Sequence, residues 1–177
     1  NAKYIGMPIM EGMMLHVAML SSMTETTICS QLVGKYNFAN IMSAVAIGLH
    51  FGITIDSIKT AIEGYTPDNS RSQLIAMGNN KVILDAYNAN PTSMKAAIAN
   101  FASIDAERKL LWLGGMKEMG EDERKEHDDL IAFLSTYQWE EVLLVGAEFK
   151  RDTQRYKWFA TSAAAAEYVQ LHLPEQA

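Results

Sequence analysis

From about Asn69 onward, short apolar runs alternate with longer stretches of helical periodicity, and this alternation leaves few architectures open to the chain. Runs of four to eight aliphatic or β-branched residues have strand length, while apolar residues at three and four spacing make one face of a helix. Strands are expected at residues 73–77 and 81–85, flanking Gly78-Asn79-Asn80 in a hairpin. A helix should follow over residues 91–104, with Asn90 as its N-cap and Pro91 in the first helical position. Next come a strand at 109–113, a helix at 122–136, a strand at 141–145, a shorter strand at 157–160 and a helix at 162–173. Strands separated by helices of this length form βαβ units, so an α/β, Rossmann-like domain around a mostly parallel sheet is expected. Parallel strands covered on both faces read as continuous apolar runs, which makes Leu84, Leu111, Leu113, Leu144 and Val145 the expected core.

The first third of the chain reads differently. Residues 4–33 hold β-like pieces, among them 14–20 and 26–33, broken by Gly12 and Ser21-Ser22. Then Phe38, Ile41, Met42, Val45, Ala46 and Leu49 repeat at helical spacing, with Asn37 placed as N-cap and Gly52 as the stop. A second helix is expected at 55–63, with Ile55, Ile58 and Ile62 on one face. No periodicity crosses Gly64-Tyr65-Thr66-Pro67-Asp68-Asn69, so the chain divides there into domains of residues 1–67 and 68–177.

Composition excludes several classes. Hydrophobic residues make up 49% and charged residues 20%, ample for a soluble core. No apolar run reaches the roughly 20 residues that cross a bilayer. The stretch 10–23 is interrupted by Glu11 and His16 and lacks a basic leader, so it does not read as a signal peptide. A net charge of −6 argues against a nucleic-acid or anionic-membrane partner. The lone Cys29 offers no disulfide and fits the cytoplasm. His16, His50, His127 and His172 are scattered without metal-ligand spacing, and His127, within Glu126-His127-Asp128-Asp129, is expected on a solvated helix face. Gly34-Lys35 is followed by Tyr36 and lacks the upstream glycine of a phosphate loop.

Three places can carry chemistry. Asp85-Ala86-Tyr87-Asn88-Ala89-Asn90-Pro91 sits where an apolar strand ends and a helix begins, the edge at which open α/β sheets bind ligands. A carboxylate there can accept ribose hydroxyls, and the helix N-terminus offers N–H groups to an anion. Caps and turns account for the same residues equally well, with Asn90 capping, Asn88 turning and Asp85 near a helix start. Arg71 lies in the polar segment beyond the boundary, where a guanidinium can clamp a phosphate or simply be solvated. Asn37 and Asn40 stand one helical turn apart and could frame a purine edge, although a plain N-cap explains Asn37.

The segments Gly34-Lys35-Tyr36-Asn37-Phe38-Ala39-Asn40, Asn69-Ser70-Arg71-Ser72-Gln73, Asp85 to Met94 and Leu113-Gly114-Gly115-Met116-Lys117-Glu118-Met119-Gly120 occur in this order. Over about residues 32–150 the chain thereby resembles the Mur ligases. The resemblance implies three domains, of which residues 1–67 would be the end of the central ATP-binding domain. Residues 68–177 would be the Rossmann-like C-terminal domain without its final strand. It implies activation of a carboxylate by ATP to an acyl phosphate, then attack by an amine, with Mg²⁺ and ATP held mainly by upstream parts. The Asp-x-Tyr-Asn-Ala-Asn-Pro segment points to the branch that joins D-alanyl-D-alanine to UDP-N-acetylmuramoyl-tripeptide. Carried over by position, Asn37 and Asn40 would lie near adenine, Arg71 would contact the nucleotide and Asp85 would hold the ribose. Tyr87, Asn88 and Asn90 would line the substrate cleft.

The resemblance also has gaps. The chain would be a cytoplasmic, monomeric ligase in part only, with no metal ligand or catalytic group assigned in these residues and no ligation by itself. Gly115 stands where the family usually has Asp, and Ser70 replaces a common glycine. Two rivals remain open: another amide ligase such as a different Mur ligase or a folylpolyglutamate synthase, or a non-catalytic Rossmann-like binding domain.

Overall fold

A computed structural model describes residues 4–20, 25–150 and 155–172. The chain forms two units, residues 1–75 with 82–87, and residues 76–81 with 88–177.

In the first unit, β1 (Ile5–Glu11), β2 (Met14–Leu20) and β3 (Glu25–Val33) make an antiparallel sheet in that order. Glu11 pairs with Met14, so only two residues turn the chain, and Gly12 takes the left-handed φ of 59° that such a tight turn favours. Helices α1 (Phe38–His50) and α2 (Ile55–Glu63) lie where the periodicity places them. Their Ile41, Val45 and Ile58 pack with Leu15, Val17, Met19 and Ile28 of the sheet. The helices also touch closely at Gly48, where an added Cβ would stand 2.7 Å from Ile58 Cδ1. Gly52 ends α1 with a φ of 77°, and Thr54 caps α2 by accepting the Ser57 N–H at 3.3 Å. Asn37 departs from expectation. A 3₁₀ turn at Lys35–Asn37 precedes α1, and the buried Asn37 side chain makes no cap but donates to Val33 O at 2.9 Å.

Strands β4 (Gln73–Met77) and β5 (Asn80–Leu84) pair as the expected hairpin, turned at Gly78 with a φ of 60°. Its stem belongs to the first unit and its tip to the second. In the second unit, β6 (Leu110–Gly114), β7 (Glu141–Val145) and β8 (Lys157–Phe159) form a parallel sheet in the order β6-β7-β8. Helices α3 (Pro91–Ser103), α4 (Glu123–Leu134) and α5 (Ser162–His172) complete the α/β arrangement. Ile98, Leu111, Leu130, Leu134, Val142, Leu144, Met116 and Phe149 form the core, and α5 packs on β7 and β8 with Ala165 buried.

Two expectations of burial need correction. Leu111, Leu144 and Val145 are buried, but Leu84 and Leu113 are half-buried. Among the described residues β5 pairs with β4 alone, a two-stranded ribbon, and β6 lies at the edge of its sheet. The helix expected at 162–173 is described to His172, and Leu173 and Ser21-Ser22 lie outside the described residues. Among those residues no helix is long and apolar enough to cross a membrane.

His127 is buried at 3% exposure instead of solvated. It shares a helix face with Leu130 and Leu134, at i+3 and i+7, so α4 turns it inward with the apolar residues. Its Nε2 accepts the Met116 N–H at 3.0 Å, which leaves Nδ1 to carry the proton and donate to Glu123 O at 2.6 Å. The ring also packs edge-on to Phe149, centroids 4.9 Å apart. His127→Ala should therefore cost about 2–4 kcal/mol, by cavity formation and an orphaned N–H. The three tryptophans, Trp112, Trp139 and Trp158, all lie in this unit, so urea unfolding followed by their fluorescence reads the loss directly.

Candidate functional site

The segment Ser70-Arg71-Ser72 is the local origin of the polar cluster in the first unit. Ser70 and Ser72 both adopt left-handed backbone, with φ of 58° and 51°. Such a conformation costs a non-glycine residue about 1–2 kcal/mol and needs support from its surroundings. The support comes from the stretch after β5. Ser70 O accepts Ala86 N–H at 2.8 Å and Tyr87 N–H at 3.2 Å, and Ser72 N–H donates to Asp85 Oδ1 at 3.0 Å.

Side chains then extend the cluster. Tyr36 Oη lies 2.5 Å from Ser72 Oγ and 3.3 Å from Asp85 Oδ2. Asn37 Nδ2 donates to Ser72 Oγ at 3.3 Å, and Asn40 Nδ2 donates to Asn37 Oδ1 at 3.0 Å. Burial above all pushes the Tyr36 hydroxyl up to about 12; the hydrogen bond with Ser72 works against this, and the Asp85 carboxylate adds to the rise. Tyr36 is thus a phenol at every physiological pH. The Arg71 guanidinium stacks over the Tyr87 ring at 3.9 Å, with Tyr87 63% exposed.

Of the residues singled out from sequence, Asn37, Asn40 and Asp85 are thereby joined in one hydrogen-bonded cluster, and Arg71 is joined to Tyr87. Asn88 and Asn90 belong to the second unit. Asn88 Oδ1 accepts the Ala89 N–H at 2.9 Å, and Asn90 Oδ1 accepts the Ser93 N–H at 2.9 Å as the N-cap of α3. Sequence reasoning assigned no role to Tyr36 or Ser72. Neither has a spacing signal, because their partners are 49 and 13 residues away along the chain.

A second polar arrangement lies at the carboxyl ends of β6 and β7. Gly115 N–H donates to Val145 O at 3.0 Å and Gly146 N–H to Phe159 O at 3.1 Å. The Glu148 side chain, 8% exposed, fills the room these glycines leave. Its Oε1 accepts from Lys117 Nζ, while its buried Oε2 has no hydrogen-bond partner. Burial opposes ionisation of Glu148, yet the Lys117 ammonium holds its carboxyl below the usual range. A Cβ at position 115 would stand 2.6 Å from Glu148 Oε2. The place beside Gly115 is thus taken by a carboxylate delivered from Glu148.

Residues 70–176 match the family described as Mur ligase, glutamate ligase domain, and the chain belongs to the Mur ligase family. A UDP-N-acetylmuramoyl-tripeptide–D-alanyl-D-alanine ligase of Bacillus subtilis is 36% identical over 124 residues, which are 69% of this chain and 27% of that protein. The chain spans about a quarter of the length of such curated relatives. Its fold matches a crystal structure of MurF from Acinetobacter baumannii, with a TM-score of 0.84 at 23% identity over 98% of this chain and 40% of that one. It also matches MurF ligase from Thermotoga maritima in complex with ADP, with a TM-score of 0.77 at 14% identity over 99% and 42%.

Gly115→Asp should destabilise the second unit by about 1–3 kcal/mol, because it sets a new carboxylate against Glu148. In a Glu148→Ala background the same substitution should cost much less, giving clear coupling in a double-mutant cycle. Equal costs in both backgrounds would show that Glu148 does not own that space.

Proposed function

We propose that this chain is part of the ATP-dependent ligase that joins D-alanyl-D-alanine to UDP-N-acetylmuramoyl-tripeptide in peptidoglycan precursor synthesis. The observation that carries the nucleotide part is the meeting of Asn37, Asn40 and Asp85, from two distant stretches of chain, in one hydrogen-bonded cluster. The choice of substrates rests on the name of the Bacillus subtilis relative and on Asp85-Ala86-Tyr87-Asn88-Ala89-Asn90-Pro91. Residues 1–67 would complete the central ATP-binding domain and residues 68–177 would form the C-terminal ligase domain; the family match beginning at residue 70 supports that division. The protein would act as a cytoplasmic monomer with no nucleic-acid or membrane partner.

Each residue has a task that its geometry suits. Asn40, anchored to Asn37, keeps its Oδ1 for a purine amino group. Asp85 is exposed, and each of its oxygens retains a lone pair for a ribose hydroxyl beyond the bonds from Ser72 and Tyr36. Arg71 offers a planar donor fork to a phosphate while its face rests on Tyr87. Asn90 has spent its oxygen on the α3 cap, so its Nδ2 is what remains for substrate. Among the described residues no group of three His, Cys, Asp or Glu could hold a metal ion. The Mg²⁺ that the resemblance implies would be held mainly by upstream parts of the protein.

Arg71→Ala in the full-length ligase should remove a charge-assisted contact of about 1.5–3 kcal/mol, a loss of roughly 10- to 150-fold in kcat/KM for ATP. Arg71→Lys should recover part of it, since an ammonium lacks the planar fork. Thermal melting should barely change in either variant, because an exposed arginine contributes little to stability. Unaltered ATP kinetics in Arg71→Ala would remove the residue from the nucleotide site.

The 177 residues alone contain no phosphate loop. Groups of that kind supply most of the stabilisation in phosphoryl transfer, so the isolated chain should release no phosphate above background with both substrates present. Substrate-dependent phosphate release from purified chain would overturn that assignment of roles.

A further inference from the structure

The cluster around Ser72 has one consistent direction of hydrogen-bond donation. Ser72 is 3% exposed, so its hydroxyl proton must find a protein acceptor instead of water. Asn37 Nδ2 already donates to Ser72 Oγ, and the acceptor within reach of the serine proton is Tyr36 Oη at 2.5 Å. The single phenolic proton of Tyr36 is then left for Asp85 Oδ2 at 3.3 Å. Reversing the Tyr36–Ser72 bond would orphan the serine proton and leave Asp85 Oδ2 without its donor. The chain therefore runs from the Asn37 amide through Ser72 and Tyr36 to the Asp85 carboxylate, and every polar group in it is satisfied.

We propose that Tyr36 and Ser72 are positioning residues for nucleotide recognition: they fix the orientation of Asp85 and couple it to the Asn37–Asn40 pair. The groups assigned to the sugar and to the base thus act as one preformed unit, with no rotamer search left to the moment of binding. This rests on the assignment of Asp85 to the ribose. The ligand class is a purine ribonucleoside phosphate, whose sugar hydroxyls are read by a carboxylate held from behind. Hydrogen bonds in such a chain polarise one another, so loss of the phenol acts on Asp85 at one end and on Ser72 at the other. Tyr36→Phe keeps the ring and removes both functions of the hydroxyl.

The test uses the full-length ligase, with ATP and 2′,3′-dideoxy-ATP as alternative substrates. Tyr36→Phe should raise KM for ATP about 5- to 10-fold and leave kcat within about twofold, as expected for losing one hydrogen bond that orients a binding group. It should also shrink the preference for ATP over the dideoxy analogue by a similar factor. Asp85→Asn should abolish most of that preference, and adding Tyr36→Phe to it should raise KM little further. Ser72→Ala cuts the same link from its other end and should behave like Tyr36→Phe; it serves where the tyrosine variant fails to fold. If Asp85→Asn keeps the full preference, the ribose assignment falls and the inference with it. Should Asp85→Asn lose the preference while Tyr36→Phe and Ser72→Ala keep wild-type KM and preference, the nucleotide reading stands and the positioning role is overturned. Additive effects in the double variant, or a fall in kcat alone, would overturn it as well.

Discussion

The Asp85 carboxylate is the constraint on which the polar cluster of the first unit depends. One oxygen takes the Ser72 N–H and the other the Tyr36 hydroxyl, while the next two backbone N–H groups go to Ser70 O. Two left-handed serines cost together about 2–4 kcal/mol. Hydrogen bonds to a charged acceptor contribute about 1.5–3 kcal/mol each, and backbone bonds about 1 kcal/mol each. The bonds offset the strain, and they hold the segment carrying Arg71 in its left-handed turns. That conformation aims the guanidinium across Tyr87.

The second unit is built on another principle. Its parallel sheet supplies the frame, and what happens at the strand ends follows from small residues there. Gly115 and Gly146 continue the ladder through their N–H groups and leave space that Glu148 occupies. His127 fixes the start of the connection after β6 through the Met116 N–H, so a buried imidazole and a buried carboxylate shape the two loops beside one another. In open α/β sheets this is the edge that faces ligands. Both polar groups are anchored from within the unit, His127 by the Met116 N–H and Glu123 O and Glu148 by Lys117.

Much of this was legible in the sequence, for reasons that particular residues make plain. The spacing of Phe38, Ile41, Val45 and Leu49 and the pair Asn90-Pro91 placed α1 and α3 within a residue of their observed limits, since apolar periodicity and capping are local properties. Asn37 misled, because an asparagine before a helix looks like a cap whether its side chain turns to the helix or to Val33 O. His127 misled for the opposite reason: the charges around it in sequence point to solvent, but its own position in the helical period points to the core. Leu84 and Leu113 misled because an apolar run does not reveal how completely each of its residues will be covered.

The sequence by itself determined which stretches are strands and helices, and which residues could carry chemistry. The reason is that periodicity, caps and turn residues act over a few positions along the chain. Tertiary structure decided that Tyr36, Ser72 and Asp85 share one hydrogen-bond chain and that the Glu148 carboxylate fills the space beside Gly115. Those contacts join residues 13 to 49 positions apart, and no local preference encodes a partner at that distance. They exist because folding brings the segments to one place, where the buried Ser72 hydroxyl finds its partner in Tyr36.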